Sequence, residues 1–405
     1  MKILIAIDKF KGSLTSLQAA QAIMRGIEAS AQSNSYEIVE IADGGDGSAN
    51  VLLSVKNGVE VVPAEGVDPL GQKIESSYLA YFEPDFKKCA FIEMAKISGL
   101  ELIPPVDTDG RKLRNPLITT TYGLGQLIRK AYEDGARKIT LSIGGSATND
   151  GGTGMLQALG FKFYRKTSPS EASSHEASPL ITGYMCGGLL SEIGRIEAPS
   201  DGLFGRSCEI EVICDVTNPL LGENGATYVY GPQKGANPVM LKQLEAGMEN
   251  LVRVAGGNVT VADPVGAKFS DCRGSDHLCP GAGAAGGVGY AVNHFLGGKI
   301  ISGWRFFANL TNLKQKIEEA DLVITGEGRI DSQSFNGKVI DGVTTLAKEA
   351  GKPVWLFCGI NSSGLNSLIF QLSSLEPDRE KSMKNAAHLL ERLAREAAAS
   401  HLPIF

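Results

Sequence analysis

Several things are missing from this chain, and each absence closes off a class of function. No basic run interrupts the balance of 39 basic against 45 acidic residues, a net charge of −6, so no nucleic-acid partner is expected. Apolar runs nowhere approach the ~20 residues of a membrane span, and the N-terminus opens on a strand pattern without signal-peptide architecture. No membrane partner is expected, and the expected compartment is the cytoplasm. The seven cysteines include no CxxC pair, which fits a reducing compartment. The five histidines lack HExxH or similar spacing, which argues against zinc. Neither GxxxxGK[ST] nor GxSxG occurs, so a P-loop and a nucleophile elbow are both excluded.

Glycine is in excess, at 49 of 405 residues against an average usage of about 7%. The glycines cluster in particular loops without a fixed period, which points to several ligand-facing loops and away from a fibrous repeat. The densest stretch runs from Ile139 to Gly160. Ile139, Leu141 and Ile143 read as a buried strand and Met155 to Leu159 as the start of a helix. Between them, Gly144 and Gly145 begin a turn that can bring backbone N–H groups up to an anion, with a helix dipole behind them. Ser146, Thr148, Asn149 and Asp150 crowd more donors and acceptors onto that turn than a plain connection needs.

A chain of this length predicts two domains. Lys2–Ile7 reads as an interior strand of a parallel sheet and ends in Asp8-Lys-Phe-Lys-Gly-Ser13. Thr15 and Gln18 then form a capping box for a helix to about Ile27. A second strand, Tyr36–Ile41, leads into Ala42-Asp-Gly-Gly-Asp-Gly-Ser48. Two such units in succession predict a doubly wound sheet with its site at the C-terminal strand ends. From Val59 the pattern changes to strands joined by turns: Val59–Val62, Lys73–Phe82 and Cys89–Met94. Thr119–Glu133 reads as a helix and 165–178 as an exposed Ser-rich loop. Strand–helix alternation returns in the last third, with strand Leu322–Thr325 entering the loop Gly326–Asp331, and strand Val354–Cys358. The expected class is α/β: a Rossmann/flavodoxin-like parallel-sheet domain built from both chain ends (1–58 and 290–405) and an inserted α/β domain with a mixed sheet (59–289).

Loops placed in this way can converge on one cleft between the two domains. They carry backbone amides, the cations Lys9, Lys11, Lys234 and Arg329, and carboxylates that can hold Mg²⁺ or take a hydroxyl proton. These are the components of phosphoryl transfer. One GxGxxG occurs, at Gly281, Gly283 and Gly286, but Pro280 and the polar 274–277 stretch replace the strand that a dinucleotide site needs. Phe306 stands where an acid would bind ribose.

Seven motifs in order carry a resemblance over nearly the whole chain. They are Asp8-Lys-Phe-Lys-Gly-Ser13, Ala42-Asp-Gly-Gly-Asp-Gly47, Gly144-Gly-Ser-Ala-Thr-Asn-Asp-Gly-Gly152, Cys214-Asp-Val-x-Asn-Pro-Leu220, Pro232-Gln-Lys-Gly-Ala236, Pro280-Gly-Ala-Gly-Ala-Ala-Gly-Gly287 and Thr325-Gly-Glu-Gly-Arg-Ile-Asp331. Together they resemble the glycerate kinase family of the bacterial glycerate 2-kinase type. The resemblance implies ATP-dependent, Mg²⁺-assisted phosphorylation of D-glycerate to 2-phosphoglycerate; separately, the chain is expected as a monomer or homodimer. Two other readings stay open: a kinase for another small hydroxy acid, and a non-catalytic sugar-acid or nucleotide-binding protein.

The general base is expected among Asp215, Asp331 and Asp150. Lys9 and Lys11 each read as a phosphate ligand or a solvated lysine. Asp43 and Asp46 read as Mg²⁺ ligands or helix caps. Arg329 suits the substrate carboxylate because of its planar donors, with a salt bridge to Glu327 as the alternative. Lys234, Ser146, Thr148, Asn149 and Asn218 complete the expected substrate set. The glycine loops at Gly144–Gly145 and at Gly281, Gly283, Gly286 and Gly287 share the phosphates of ATP and the substrate, in an order the sequence leaves open.

Overall fold

Ile3, Leu4 and Ile5 have no exposed surface, as expected of a strand with neighbours on both edges and helices on both faces. In the computed structural model that strand, Lys2–Ile5, lies between Leu322–Ile330 and Ser35–Ile38, parallel to both. Residues 1–30, 34–42, 44–45, 47–85, 87–106, 109–110, 112–167, 178–200, 208–256, 277–335, 338–363 and 368–402 are described. They form two compact units: 1–43, 50–57 and 302–405 in the first, 44–49 and 58–301 in the second.

The first unit carries five parallel strands in the spatial order Ile369–Gln371, Val354–Asn361, Leu322–Ile330, Lys2–Ile5, Ser35–Ile38. Counted along the chain this is the flavodoxin-like order 2-1-3-4-5, with its switch point between Lys2–Ile5 and Leu322–Ile330. Helix Ser16–Glu28 starts with the expected Thr15–Gln18 capping box and packs against Ala386–His401. Gly26 makes the close approach possible, since a Cβ there would lie 2.2 Å from the Glu391 carbonyl oxygen.

The second unit carries six strands in the order Lys299–Ile301, Glu209–Ile213, Lys138–Ser142, Lys88–Glu93, Lys73–Phe82, Glu60–Val67. The first four are mutually parallel and the last two join antiparallel, so the sheet is mixed as expected. Helices Tyr122–Glu133 and Thr153–Ala158 cover it, and Gly125 lets the first press on the Met155 carbonyl of the second. An antiparallel pair of strands, Lys162–Arg165 and Ile193–Glu197, which sequence periodicity did not reveal, adds a small separate sheet.

Two expectations are corrected. The expected domain boundary at 289/290 falls inside helix Val288–Leu296. That helix and strand Lys299–Ile301 belong to the second unit, whose sheet they extend. The second correction concerns Gly326–Asp331, expected as a loop after a strand ending at Thr325. The strand runs on to Ile330 because Val354–Asn361 pairs with it as far as Ile330↔Asn361. Glycine makes that pairing possible, since a Cβ at Gly326 would lie 1.8 Å from the Phe357 carbonyl oxygen. The Ser-rich stretch 168–177 lies outside the described residues. No helix among the described residues is long and apolar enough to cross a membrane.

Candidate active site

In the first unit, two motifs meet at the switch point, where α/β sheets place their ligands. The Asp8 N–H donates to the Gly326 carbonyl at 3.0 Å. A Cβ on Gly328 would come within 3.3 Å of Phe10 and 3.4 Å of the Lys11 nitrogen. The Lys9–Lys11 loop therefore lies directly against the extension of Leu322–Ile330. Because that extension is strand, Glu327 and Arg329 fall on one face at a period of two, with Asp331 next in the series. Lys11 and Arg329 are exposed, while Lys9, Glu327 and Asp331 are half-buried. Arg329 Nε stands 3.9 Å from the Asp331 carboxylate, an ion pair with a second acid beside the Glu327 that the sequence offered.

In the second unit, the turn after strand Lys138–Ser142 is buried from Ser146 through Gly152, with Thr148, Asn149 and Asp150 fully so. Asp150 accepts from the Thr121 N–H and hydroxyl at 2.8 Å each, the Gly152 N–H at 3.0 Å and the Gly154 N–H at 3.2 Å. Burial pushes its pKa above the ordinary 3.8, and these donors pull the other way. A carboxylate saturated in this way ties the start of helix Tyr122–Glu133 to that of Thr153–Ala158. That is an architectural role, beside the base role expected for it from the sequence.

Lys234 ends the short turn Pro232–Lys234, and Gly235 follows at φ +96°, so close to Arg114 that a Cβ would lie 2.1 Å from its carbonyl oxygen. The turn carries Lys234 inward, where its ammonium donates to the Thr148 carbonyl at 2.6 Å with 1% of the residue exposed. Burial lowers its pKa to about 7, against an upward pull from Asp150. Asn149 Nδ2 donates to the Thr227 hydroxyl at 3.2 Å. Thr148 Oγ1, Asn149 Oδ1 and, from the adjoining turn, Ser98 Oγ are buried without a hydrogen-bond partner. Each such group costs about 1–3 kcal/mol, a condition often completed by a ligand or water.

Three of the glycines of 281–287 make close backbone approaches. A Cβ on Gly283 would lie 2.1 Å from the Pro219 carbonyl oxygen, and one on Gly286 at the same distance from that of Thr148. The Gly151 N–H donates to the Gly286 carbonyl at 2.9 Å, and the whole of 279–292 is buried. Gly286 and Gly287 thus seat the turn after Ile143 against the start of helix Val288–Leu296, and Gly283 packs on Pro219 and Ala226, while Gly145 is exposed and Gly144 half-buried. Asp215 is half-buried just past strand Glu209–Ile213. Asn218 beside it is held by the Tyr230 hydroxyl at 2.5 Å and donates to the Asn224 carbonyl at 2.8 Å.

Asp43 and Asp46 lie outside the described residues. Among the described residues no three His, Cys, Asp or Glu cluster as a metal would need if the protein alone held it.

The chain's sequence matches the family model "Glycerate kinase family" over residues 3–402. It is 39% identical to the Escherichia coli K12 protein named glycerate 2-kinase, over 93% of this chain and 91% of that one. It is 38% identical to the glycerate kinase of Halalkalibacterium halodurans, over 98% and 97%. The chain belongs to the glycerate kinase family. It is a phosphotransferase of that family, and the fold agrees. A crystal structure from Salmonella typhimurium LT2, of a "putative glycerate kinase 2", superposes with a TM-score of 0.72 at 37% identity, covering 99% of this chain and 98% of the other.

Sequence reading of the site missed Thr121, Ser98, Glu93 and Ser142. Thr121 and Ser98 sit in ordinary-looking segments, and only the fold brings them to Asp150 and Ala147. Glu93 did leave a signal, a carboxylate closing the buried run Cys89–Ile92.

Proposed function

We propose that this enzyme transfers the γ-phosphoryl group of ATP to the 2-hydroxyl of D-glycerate, with Mg²⁺, giving 2-phosphoglycerate and ADP. The observation that carries the reading is the meeting of the Asp8–Ser13 and Thr325–Asp331 motifs at the flavodoxin-like switch point, motifs that carry two lysines, an arginine and three carboxylates at strand ends. The choice of oxygen is supported by the name of the Escherichia coli relative.

In this reading Arg329 pairs its planar donors with the glycerate carboxylate, and Lys9 and Lys11 meet phosphate oxygens. Thr148 and Asn149, with buried atoms still unsatisfied, orient a polar ligand. Asp215 takes the hydroxyl proton, with Asp331 as the second choice. Mg²⁺ is held by one or two carboxylates together with phosphate oxygens, so the absence of a larger described cluster is compatible with it. Asp43 and Asp46 are the assigned ligands. When bound, the ion neutralises charge on the phosphates.

Coupled ADP release with D-glycerate, L-glycerate and hydroxypyruvate, followed by phosphorus NMR of the product, tests the proposal. ADP release confined to D-glycerate and a 2-phosphoglycerate signal are expected. Release with a different hydroxy acid only, or a 3-phosphoglycerate product, would overturn it.

A further inference from the structure

Strand register in the second unit sets Glu93 beside Ser142 and Ser142 beside Ile213, a row along the C-terminal ends of three adjacent parallel strands. All three touch the segment Gly44–Ala49 of the same unit. The Glu93 Oε1 accepts the Gly47 N–H at 2.7 Å. The Ser142 hydroxyl donates to the Gly44 carbonyl at 2.6 Å and reaches that of Gly45 at 3.3 Å. Gly44, at φ +80°, lies so close to Ile213 that a Cβ would stand 3.2 Å from its carbonyl oxygen. The Ser48 hydroxyl closes the turn onto the Gly45 carbonyl at 2.6 Å.

Polarity is matched along the row: carbonyls meet a hydroxyl donor and an N–H meets a carboxylate. Yet Glu93 is only 4% exposed, and its other oxygen stands 3.7 Å from the Lys96 ammonium. Burying a carboxylate is costly, and here its charge is spent in part on holding a backbone N–H. The segment it holds bears Asp46 and directly follows Asp43 in the sequence.

We propose that Glu93 is a positioning residue for the reaction, fixing Gly44, Gly45 and Gly47 across the strand ends in the stretch of sequence from which the Mg²⁺ ligands are proposed. Ser142 assists from the neighbouring strand. The reaction served is the transfer proposed above, so the test has one arm that does not depend on it.

Hydrogen exchange followed by mass spectrometry on peptides spanning 44–52 reads the segment directly. Steady-state kcat and KM for D-glycerate and ATP read the reaction. In Glu93→Ala, exchange there is expected to quicken by about ten-fold, as loss of one charge-assisted hydrogen bond implies. Strand Leu322–Ile330 should keep its protection, and kcat should fall by about ten-fold or more, with the larger part of the loss in kcat. Glu93→Gln keeps an acceptor for the Gly47 N–H and should recover most of both.

Unchanged exchange in Glu93→Ala would overturn the proposal. So would faster exchange with unchanged kinetics, or a Gln variant as impaired in turnover as Ala. Should Glu93→Ala fail to fold, Ser142→Ala removes two bonds from the same segment without touching the carboxylate. Exchange at wild-type rate there also counts against the idea. If the wild-type enzyme releases no ADP with D-glycerate, the functional reading fails, and the exchange comparison alone decides whether Glu93 holds the segment.

Discussion

The Lys234 ammonium, 1% exposed, donates to the carbonyl oxygen of Thr148 at 2.6 Å. A cation this deep is expensive to keep charged, and the bond fixes the backbone of the turn that carries Asn149 and Asp150. Its proton affinity therefore bears on both stability and function.

An unfolded lysine holds its proton to about 10.5, whereas burial lets Lys234 release its proton above about 7. Between those values the unfolded chain binds more protons, so this group makes stability rise with pH, by up to about 1.4 kcal/mol per pH unit. Below about 7 the full cost of the buried charge is present. In urea unfolding, wild type should therefore gain on Lys234→Met as pH is raised from about 6 to about 9. A difference that stays flat with pH would show that Lys234 keeps its proton throughout.

Asp150 meets four donors and should behave as a structural carboxylate. Asp150→Ala strands the Thr121 N–H and hydroxyl and the Gly152 and Gly154 N–H groups, a loss of about 3–5 kcal/mol measurable as a lowered urea midpoint. Asp150→Asn, which keeps one acceptor oxygen, should lose less. If Asp150 were the base instead, the Asn variant would keep the midpoint and lose turnover.

Much of the fold was legible because it rests on local patterns. The Thr15–Gln18 box begins helix Ser16–Glu28 as read, and strand Lys73–Phe82 has the expected bounds. Where reading failed, the cause lay in partners distant in sequence. Gly326 and Gly328 look like loop residues until Val354–Asn361 pairs with them. Nothing near Asp150 in the sequence announces Thr121, which the fold brings to its carboxylate. The glycines of 281–287 read as a phosphate cradle, and the sequence did not show that Gly283, Gly286 and Gly287 also lie against backbone atoms of Pro219, Thr148 and Gly151. Glycine-rich sequence signals close approach of backbone, and cannot say whether the other party is a ligand or the protein itself.

That distinction can be measured. Gly286→Ala, at φ +67° with Thr148 O 2.1 Å from the new Cβ, should cost about 3 kcal/mol or more and lower the yield of folded protein. Gly145→Ala, at φ +71° but with its nearest contact 3.4 Å away, should cost only about 1 kcal/mol. Thermal unfolding of the two variants should therefore differ by many degrees, and equal losses would mean that backbone conformation, and not packing, sets the requirement.

Arg329 presents the opposite case, a side chain 68% exposed and 3.9 Å from its partner. Surface pairs of this kind contribute about 0–1 kcal/mol, so Arg329→Ala should unfold at nearly the wild-type urea midpoint. If its guanidinium grips the substrate carboxylate, KM for glycerate should rise by about ten-fold or more, and Arg329→Lys should recover only part of it for want of the planar fork. An unchanged KM would remove Arg329 from that role.

The base assignment turns on Asp215 and Asp331, which end strands in different units. A general base acts in the transition state, so replacing it lowers kcat by about 10²–10⁴-fold and leaves substrate binding nearly intact. Asp215→Asn is expected to show that pattern in the ADP-release assay, whereas Asp331→Asn, which loses the carboxylate beside Arg329, should act mainly through KM. Asn keeps the size and one acceptor oxygen of Asp, so unfolding midpoints should hold for both. The reverse pattern would transfer the base to Asp331, and two variants with wild-type kcat would exclude both carboxylates from proton transfer.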